Sequence, residues 1–181
     1  MKIAAALLGG GLSSRMGQDK SKLEIDNQSL KQRQISILES CNIEQIFVCD
    51  NQQIKDRFEK KGPLGAIDAL FQVDDFLDFD FCICLPVDMP NLNQDSINQL
   101  IQFAINSNQS VAFTNSILPL VFKVNRQTKQ WLDNQLTTET NWSINHFSRF
   151  LNTHFIDIDD HYLININTPQ QWEEYLNHER I

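Results

Sequence analysis

Short apolar runs alternate with amphipathic stretches along the first half of the chain. Ile3–Leu8, Gln45–Cys49 and residues 81–85 are brief, apolar and bounded by turn residues, the pattern of buried parallel strands. Between them, residues 29–41 carry apolar side chains at 30, 35, 37, 38 and 41 and predict a helix, and residues 66–73 predict another. Over residues 95–105, Ile97, Leu100, Ile101, Ala104 and Ile105 form one helical stripe. This βαβ alternation implies an open, doubly wound α/β sheet. The second half is more mixed. Residues 111–114, 118–124, 155–158 and 163–166 predict strands, and 127–136 and 142–151 predict helices. Thr168-Pro169 reads as an N-cap and first helical position for a last helix through Trp172, Tyr175 and Leu176.

The chain has 181 residues, enough for one domain with one core, so residues 1–181 are expected to form a single unit. Nothing in it reads as a linker, repeat or low-complexity segment, and no apolar run reaches the roughly 18 residues of a membrane span. The N-terminus enters a strand directly, with Lys2 its only early charge, which argues against a signal peptide. Cys41, Cys49, Cys82 and Cys84 lack Cys-x-x-Cys spacing, and Cys82 and Cys84 share one strand face too close for an unstrained bridge. They read as core thiols of a cytoplasmic protein. The net charge of −8 argues against non-specific nucleic-acid binding. It also sets apart the local cations Arg15, Lys20 and Lys22, because an acidic protein that binds a polyanion must concentrate positive charge at the site.

Those cations flank a glycine cluster. After the first strand the chain runs Leu8-Gly9-Gly10-Gly11-Leu12-Ser13-Ser14-Arg15-Met16-Gly17-Gln18-Asp19-Lys20. Glycines at a strand end let backbone N–H groups approach a ligand closely, and two nearby cations complete what a triphosphate needs. The segment is not a P-loop, because Gln18 follows Gly17 and Lys20 comes three positions after it. Nor is it a dinucleotide fingerprint, since Gly9 and Gly11 are followed by Ser14 where a third glycine is required. The plainer alternative is a tight strand-to-helix turn with solvated cations. Asp88 lies just beyond the strand at residues 81–85, between Pro86 and Pro90. Ligands of open α/β sheets bind beyond the carboxyl ends of the strands, so Asp88 is placed either to hold Mg²⁺ beside a triphosphate or to cap the next segment.

The stretch from Leu8 to Lys20 resembles the signature of the nucleotidyltransferases that make the molybdenum cofactor dinucleotides: Leu-Ala-Gly-Gly, three residues, Arg-Met-Gly, then Asp-Lys. Gly9 stands where that family usually has alanine. Three more blocks follow in the family's order: Gly62-Pro63-Leu64-Gly65, Leu85-Pro86-Val87-Asp88-Met89-Pro90, and Asn165-Ile166-Asn167-Thr168-Pro169. The four blocks span residues 8 to 169. The resemblance implies a Rossmann-like, three-layer α/β/α fold with a mostly parallel sheet, of nucleotide-diphospho-sugar-transferase type. It implies transfer of GMP from GTP to the molybdopterin cofactor, with Mg²⁺ on Asp88 and catalytic roles for Arg15, Lys20 and Asp88. Leu8, Gly9, Gly10, Gly11, Lys20, Asn51, Pro63, Leu64, Asp88, Asn165 and Asn167 would line the nucleotide and cofactor site, and Pro119-Leu120 resembles the acceptor-side segment.

Asn165 and Asn167 share a face of any extended segment, and both amides can donate and accept. Asn-Thr-Pro is also a plain helix start. His146, His154, His161 and His178 show no ligand spacing and read as surface groups, and Trp131, Trp142 and Trp172 read as core. The chain departs from the family before Gly62, where a further strand and a nucleoside-holding acidic residue are missing. Only Asp56 or Glu59 could substitute, and Asn51 and Cys49 compete for the strand-end position. Gly10-Gly11 favours GTP, because relatives using CTP more often carry two alanines there. The rival readings are a cytidylyltransferase, a sugar- or polyol-phosphate nucleotidyltransferase, and a non-catalytic molybdopterin carrier. The leading reading is a cytoplasmic monomer that serves cofactor-insertion proteins and molybdoenzymes.

Overall fold

The computed structural model describes residues 1–9, 20–50, 53–58, 61–138 and 141–178. Its centre is a six-stranded sheet of β1 (Ile3–Leu8), β4 (Gln45–Cys49), β5 (Phe81–Pro86), β6 (Val111–Phe113), β7 (Ser116–Lys123) and β8 (His154–Ile156), ordered β4-β1-β5-β7-β6-β8. β1 pairs in parallel with β4 and β5, β6 pairs in parallel with β8, and β7 runs antiparallel to both its neighbours. The sheet is therefore mostly parallel, as the alternation predicts.

Two apolar clusters cover its faces. On one face Ile3, Ala5 and Leu7 meet α1 (Leu30–Glu39), α3 (Gln94–Ser107) and α6 (Pro169–His178). On the other Ala4, Ala6 and Leu8 meet α2 (Pro63–Leu70), α4 (Arg126–Thr138) and α5 (Ile144–Phe150). Period-two alternation along β1 thus feeds both layers of an α/β/α sandwich. The stripe predicted on α3 is buried at Ile97, Leu100, Ile101 and Ala104. α1 and α2 lie on opposite faces, so the winding reverses at β1. Its carboxyl end is the switch point where such sheets bind ligands.

Several predicted elements differ. The hairpin of β2 (Glu24–Ile25) and β3 (Gln28–Ser29) was not read from the sequence. Its two-residue turn places Asp26 at φ 53° and Asn27 at φ 61°, the left-handed pair that a type I′ turn requires. Ser29 then caps α1 in a capping box with Gln32. α2 begins at Pro63 rather than at residue 66, because Gly62, at φ 59°, turns the chain and Pro63 starts the helix. The strand predicted over 163–166 is absent. A 3₁₀ turn, Asp160–Leu163, ends there, and the Ile166 N–H bonds the carbonyl of Asp88 at 2.9 Å instead of a strand partner. The four cysteines are free and buried, as expected. His146 departs from its surface reading: half-buried against Trp131, it has a buried Nδ1 without a hydrogen-bond partner among the described residues. The three tryptophans are half-buried and pack against the two clusters rather than inside them. No helix among the described residues is long and apolar enough to cross a membrane.

Candidate active site

Three strand ends lie side by side. In register, Leu8 faces Cys49 on one side and Pro86 on the other. Past those ends, the Gly9 N–H donates to the Cys49 carbonyl at 3.0 Å and the Val87 N–H reaches Leu8 O at 3.4 Å. Gly9 leaves room for a methyl group: a Cβ there would meet Asp50 Cβ at 3.8 Å and Cys49 O at 3.9 Å, ordinary contacts. The alanine of the related signature therefore fits this backbone.

Lys20 begins a 3₁₀ turn, Lys20–Lys22, that leads through buried Leu23 and Ile25 into the hairpin and α1. This anchoring aims Lys20 across the strand ends. Its Nζ donates to Asp88 Oδ2 at 2.7 Å and to Asn167 Oδ1 at 2.8 Å. Asn167 Nδ2 in turn donates to Asn165 Oδ1 at 2.9 Å. Ile166, between the two asparagines, is buried, so extended backbone sends both amides to the other side, as their spacing predicts. Four polar side chains from three distant segments thus form one network, with Lys20 and Asp88 only 16% and 17% exposed.

The chemistry of this network follows from its donors. One carboxylate and the Asn167 carbonyl oxygen converge on one ammonium. These are hard oxygen ligands of the type Mg²⁺ accepts, and Mg²⁺ uses few of them, filling its octahedron with phosphate oxygens and water. No cluster of three His, Cys, Asp or Glu suited to a metal exists among the described residues. A metal at this corner would therefore depend on Asp88 and on its substrate. Lys20 is a flexible point charge, able to leave the carboxylate for a phosphate oxygen.

The remaining predicted residues divide. Leu8 and Gly9 reach the site's edge. Pro63 and Leu64 form the first turn of α2, Pro63 half-buried and the Leu64 side chain fully buried beside Leu8 and Cys49. Pro119 and Leu120 are buried within β7. Gly10, Gly11, Arg15, Asn51 and Glu59 lie outside the described residues. Asp56 packs against α2, its Oδ2 3.1 Å from where a Gly65 Cβ would stand, and burial followed by the charge of Asp68 raises its pKa. Sequence reasoning missed Asp50, which follows β4 beside Gly9 and accepts from Lys31 Nζ and the Gln53 N–H, each at 2.8 Å. The available signal was a carboxylate directly after a parallel strand, the rule that singled out Asp88.

The MobA-like NTP transferase domain family matches residues 5–136 of the chain. The chain is 26% identical over 179 residues to a molybdenum cofactor guanylyltransferase from Xanthomonas euvesicatoria pv. vesicatoria, covering 94% of this chain and 93% of that one. Among solved structures, it superposes on a molybdopterin-guanine dinucleotide biosynthesis protein A from Archaeoglobus fulgidus with a TM-score of 0.73 at 16% identity, covering 98% of this chain and all of that one. It also superposes on a 4-diphosphocytidyl-2C-methyl-D-erythritol synthase from Anaerococcus prevotii with a TM-score of 0.74 at 10% identity, covering 99% of each chain. These two likenesses establish the fold, that of the nucleotide-diphospho-sugar transferases, and the sequence match extends from β1 into α4 across Lys20 and Asp88. The chain belongs to the MobA-like NTP transferase family and is a nucleotidyltransferase.

Proposed function

We propose that residues 1–181 act as one Mg²⁺-dependent molybdenum cofactor guanylyltransferase domain. It joins GMP from GTP to molybdenum-molybdopterin, giving molybdopterin guanine dinucleotide and pyrophosphate. A phosphate oxygen of molybdopterin attacks the α-phosphorus of GTP and forms the new O–P bond. The bond from that phosphorus to the β-bridging oxygen breaks, and pyrophosphate leaves with the electron pair. The protein's contribution is positioning and charge rather than covalent chemistry. The backbone of Gly10 and Gly11, with Arg15 and Lys20, holds the triphosphate. Lys20 moves from Asp88 to the phosphates and offsets charge that builds on the leaving pyrophosphate. Asp88 would hold Mg²⁺, which supplies Lewis-acid neutralisation of phosphate oxygens. Asn165 and Asn167 orient the metal side and the acceptor. Leu8, Gly9, Asn51 and Pro63 border the nucleoside, and the buried Leu64, Pro119 and Leu120 support the site from the core.

The observation that carries this reading is the convergence of Lys20, Asp88, Asn165 and Asn167 beyond the ends of β1 and β5. GTP rather than CTP is supported by Gly10-Gly11 and by the name of the Xanthomonas relative. The reading places the protein in the cytoplasm as a monomer that passes product to cofactor-insertion proteins and molybdoenzymes. Four buried free thiols support a reducing compartment.

Calorimetric titration of GTP and of CTP in the presence of Mg²⁺, followed by pyrophosphate release with purified molybdopterin cofactor, tests the proposal. The expected result is binding and release with GTP and dependence on molybdopterin. Preference for CTP, or dependence on a sugar or polyol phosphate instead, moves the chain to the corresponding transferase. Molybdopterin binding without nucleotide-dependent release makes it a carrier.

A further inference from the structure

Gln34 lies in the middle of α1 with no exposure at all, in the apolar layer between helix and sheet. Its Nε2 donates to the Met89 carbonyl at 2.7 Å, which fixes the amide's orientation. Its Oε1 is buried and has no partner among the described residues. A leucine here would remove that oxygen from the core but would also take the amide donor from the Met89 carbonyl, which would keep only the Leu92 N–H at 3.4 Å. The bond Gln34 makes falls on the residue directly after Asp88.

The same helix is also bonded to the segment that carries the other half of the ion pair. The Leu30 N–H at the start of α1 donates to Leu23 O at 2.8 Å, and Leu23 N–H returns to Lys20 O at 3.1 Å. α1 therefore grips the Lys20 segment at its first turn and the Asp88 turn one turn further on. α6, on the same face of the sheet, also bonds the segment that follows Asp88. It starts directly after Asn165–Asn167, and its Tyr175 hydroxyl donates to Asn91 Oδ1 at 2.8 Å. Asn91 also donates to the His161 carbonyl at 3.1 Å. The turn that presents Asp88 is thus held from two helices: α1, whose first turn also bonds the segment leading from Lys20, and α6, which starts directly after Asn167.

We infer that Gln34 is a positioning residue: through the Met89 carbonyl it sets Asp88 relative to Lys20, with Tyr175 and Asn91 as the matching anchor. This rests on the proposed role of Asp88 in holding a divalent cation with the nucleotide. Loss of the grip frees the Asp88 turn while the core stays packed, and a misplacement of about 1 Å at such a site can cost on the order of a hundredfold.

The test uses the full chain with Gln34→Leu, and Gln34→Met as a second apolar replacement of similar length. Three quantities are measured: melting temperature, amide exchange at residues 87–92 and 165–167, and Mn²⁺ affinity in the presence of GTP. The expected result is a melting temperature lowered only slightly, by the loss of one buried hydrogen bond, exchange in those two segments faster by about tenfold or more, and weakened Mn²⁺ binding. Tyr175→Phe should quicken exchange at residues 89–92 in the same way. Unaltered local exchange in both Gln34 variants overturns the inference. So does a fall in melting temperature with exchange quickened throughout the molecule, which would make Gln34 a core residue only. Failure of the wild-type protein to bind Mn²⁺ with GTP contradicts the proposed function, while the exchange measurement still decides the role of Gln34.

Discussion

Two ion pairs flank the sheet and are built for different purposes. Lys20 meets Asp88 through one ammonium at the strand ends, with both partners slightly exposed and amide oxygens close by. Arg57, in the loop before α2, grips Asp68 in a two-pronged contact, Nε to Oδ2 at 2.8 Å and Nη2 to Oδ1 at 2.6 Å, and also pairs with Asp133 of α4. Asp68 is 1% exposed inside α2, which is buried along almost its whole length. A planar guanidinium on a buried carboxylate fixes a loop to a helix, whereas a lysine on a slightly exposed carboxylate can be exchanged for substrate. On the proposed function the first pair serves the reaction and the second the fold, although both close gaps in the sequence.

Substitutions should separate the two. The largest effect is expected for Lys20→Ala and Asp88→Ala. Each should lower pyrophosphate release by about 10²–10³-fold or more, with a melting temperature close to the wild type. Near-normal turnover in either variant removes the assignment. Next comes Arg57→Ala, which leaves the Asp68 carboxylate buried without its partner. Breaking such a pair costs roughly 3–5 kcal/mol when both groups are buried. Arg57 is a third exposed, so about 2–3 kcal/mol is expected in urea denaturation. Per molecule still folded, its turnover should be retained. If Arg57→Ala instead loses activity without losing stability, the division of labour is reversed.

Asn167→Ala should come third, with a loss of about tenfold, seen mainly in kcat, because it removes one oxygen from the Lys20 corner and leaves Asp88 in place. The smallest effect concerns Asp56. Its folded pKa is raised, chiefly by burial, so the folded state holds more protons than the unfolded one just above the usual carboxylate range. Stability should therefore decline as pH rises through that window, and Asp56→Asn should remove the decline. Urea midpoints of both proteins across pH 4 to 7 check the sign.

The parts of the fold that were readable in the sequence are those where one residue type serves both local preference and packing. β1 is apolar throughout because both its faces are covered, and α3 shows its stripe because only one face is. The hairpin at 24–29 escaped notice because Asp26-Asn27 forms a turn usually announced by glycine. Residues 163–166 looked like a strand by alternation, yet their hydrogen bond goes to the Asp88 turn. At the candidate site, the residues that converge, Lys20, Asp88, Asn165 and Asn167, were legible because they fall in three short motifs. Asp50 with Lys31, and Gln34 with Met89, were not, since each pairing depends on how α1 crosses the strand ends. That crossing is set by packing along the whole helix, and no local pattern reports it.

The most direct measurement follows GTP radiolabelled at its α-phosphate in a reaction with Mg²⁺ and purified molybdenum-molybdopterin, with wild-type protein and with Lys20→Ala. The account predicts that the label moves into a molybdopterin dinucleotide with the wild type, that transfer stops when Mg²⁺ is chelated, and that the variant leaves the label in GTP. Label that stays in GTP with the wild-type protein, or moves equally well with the variant, would contradict it.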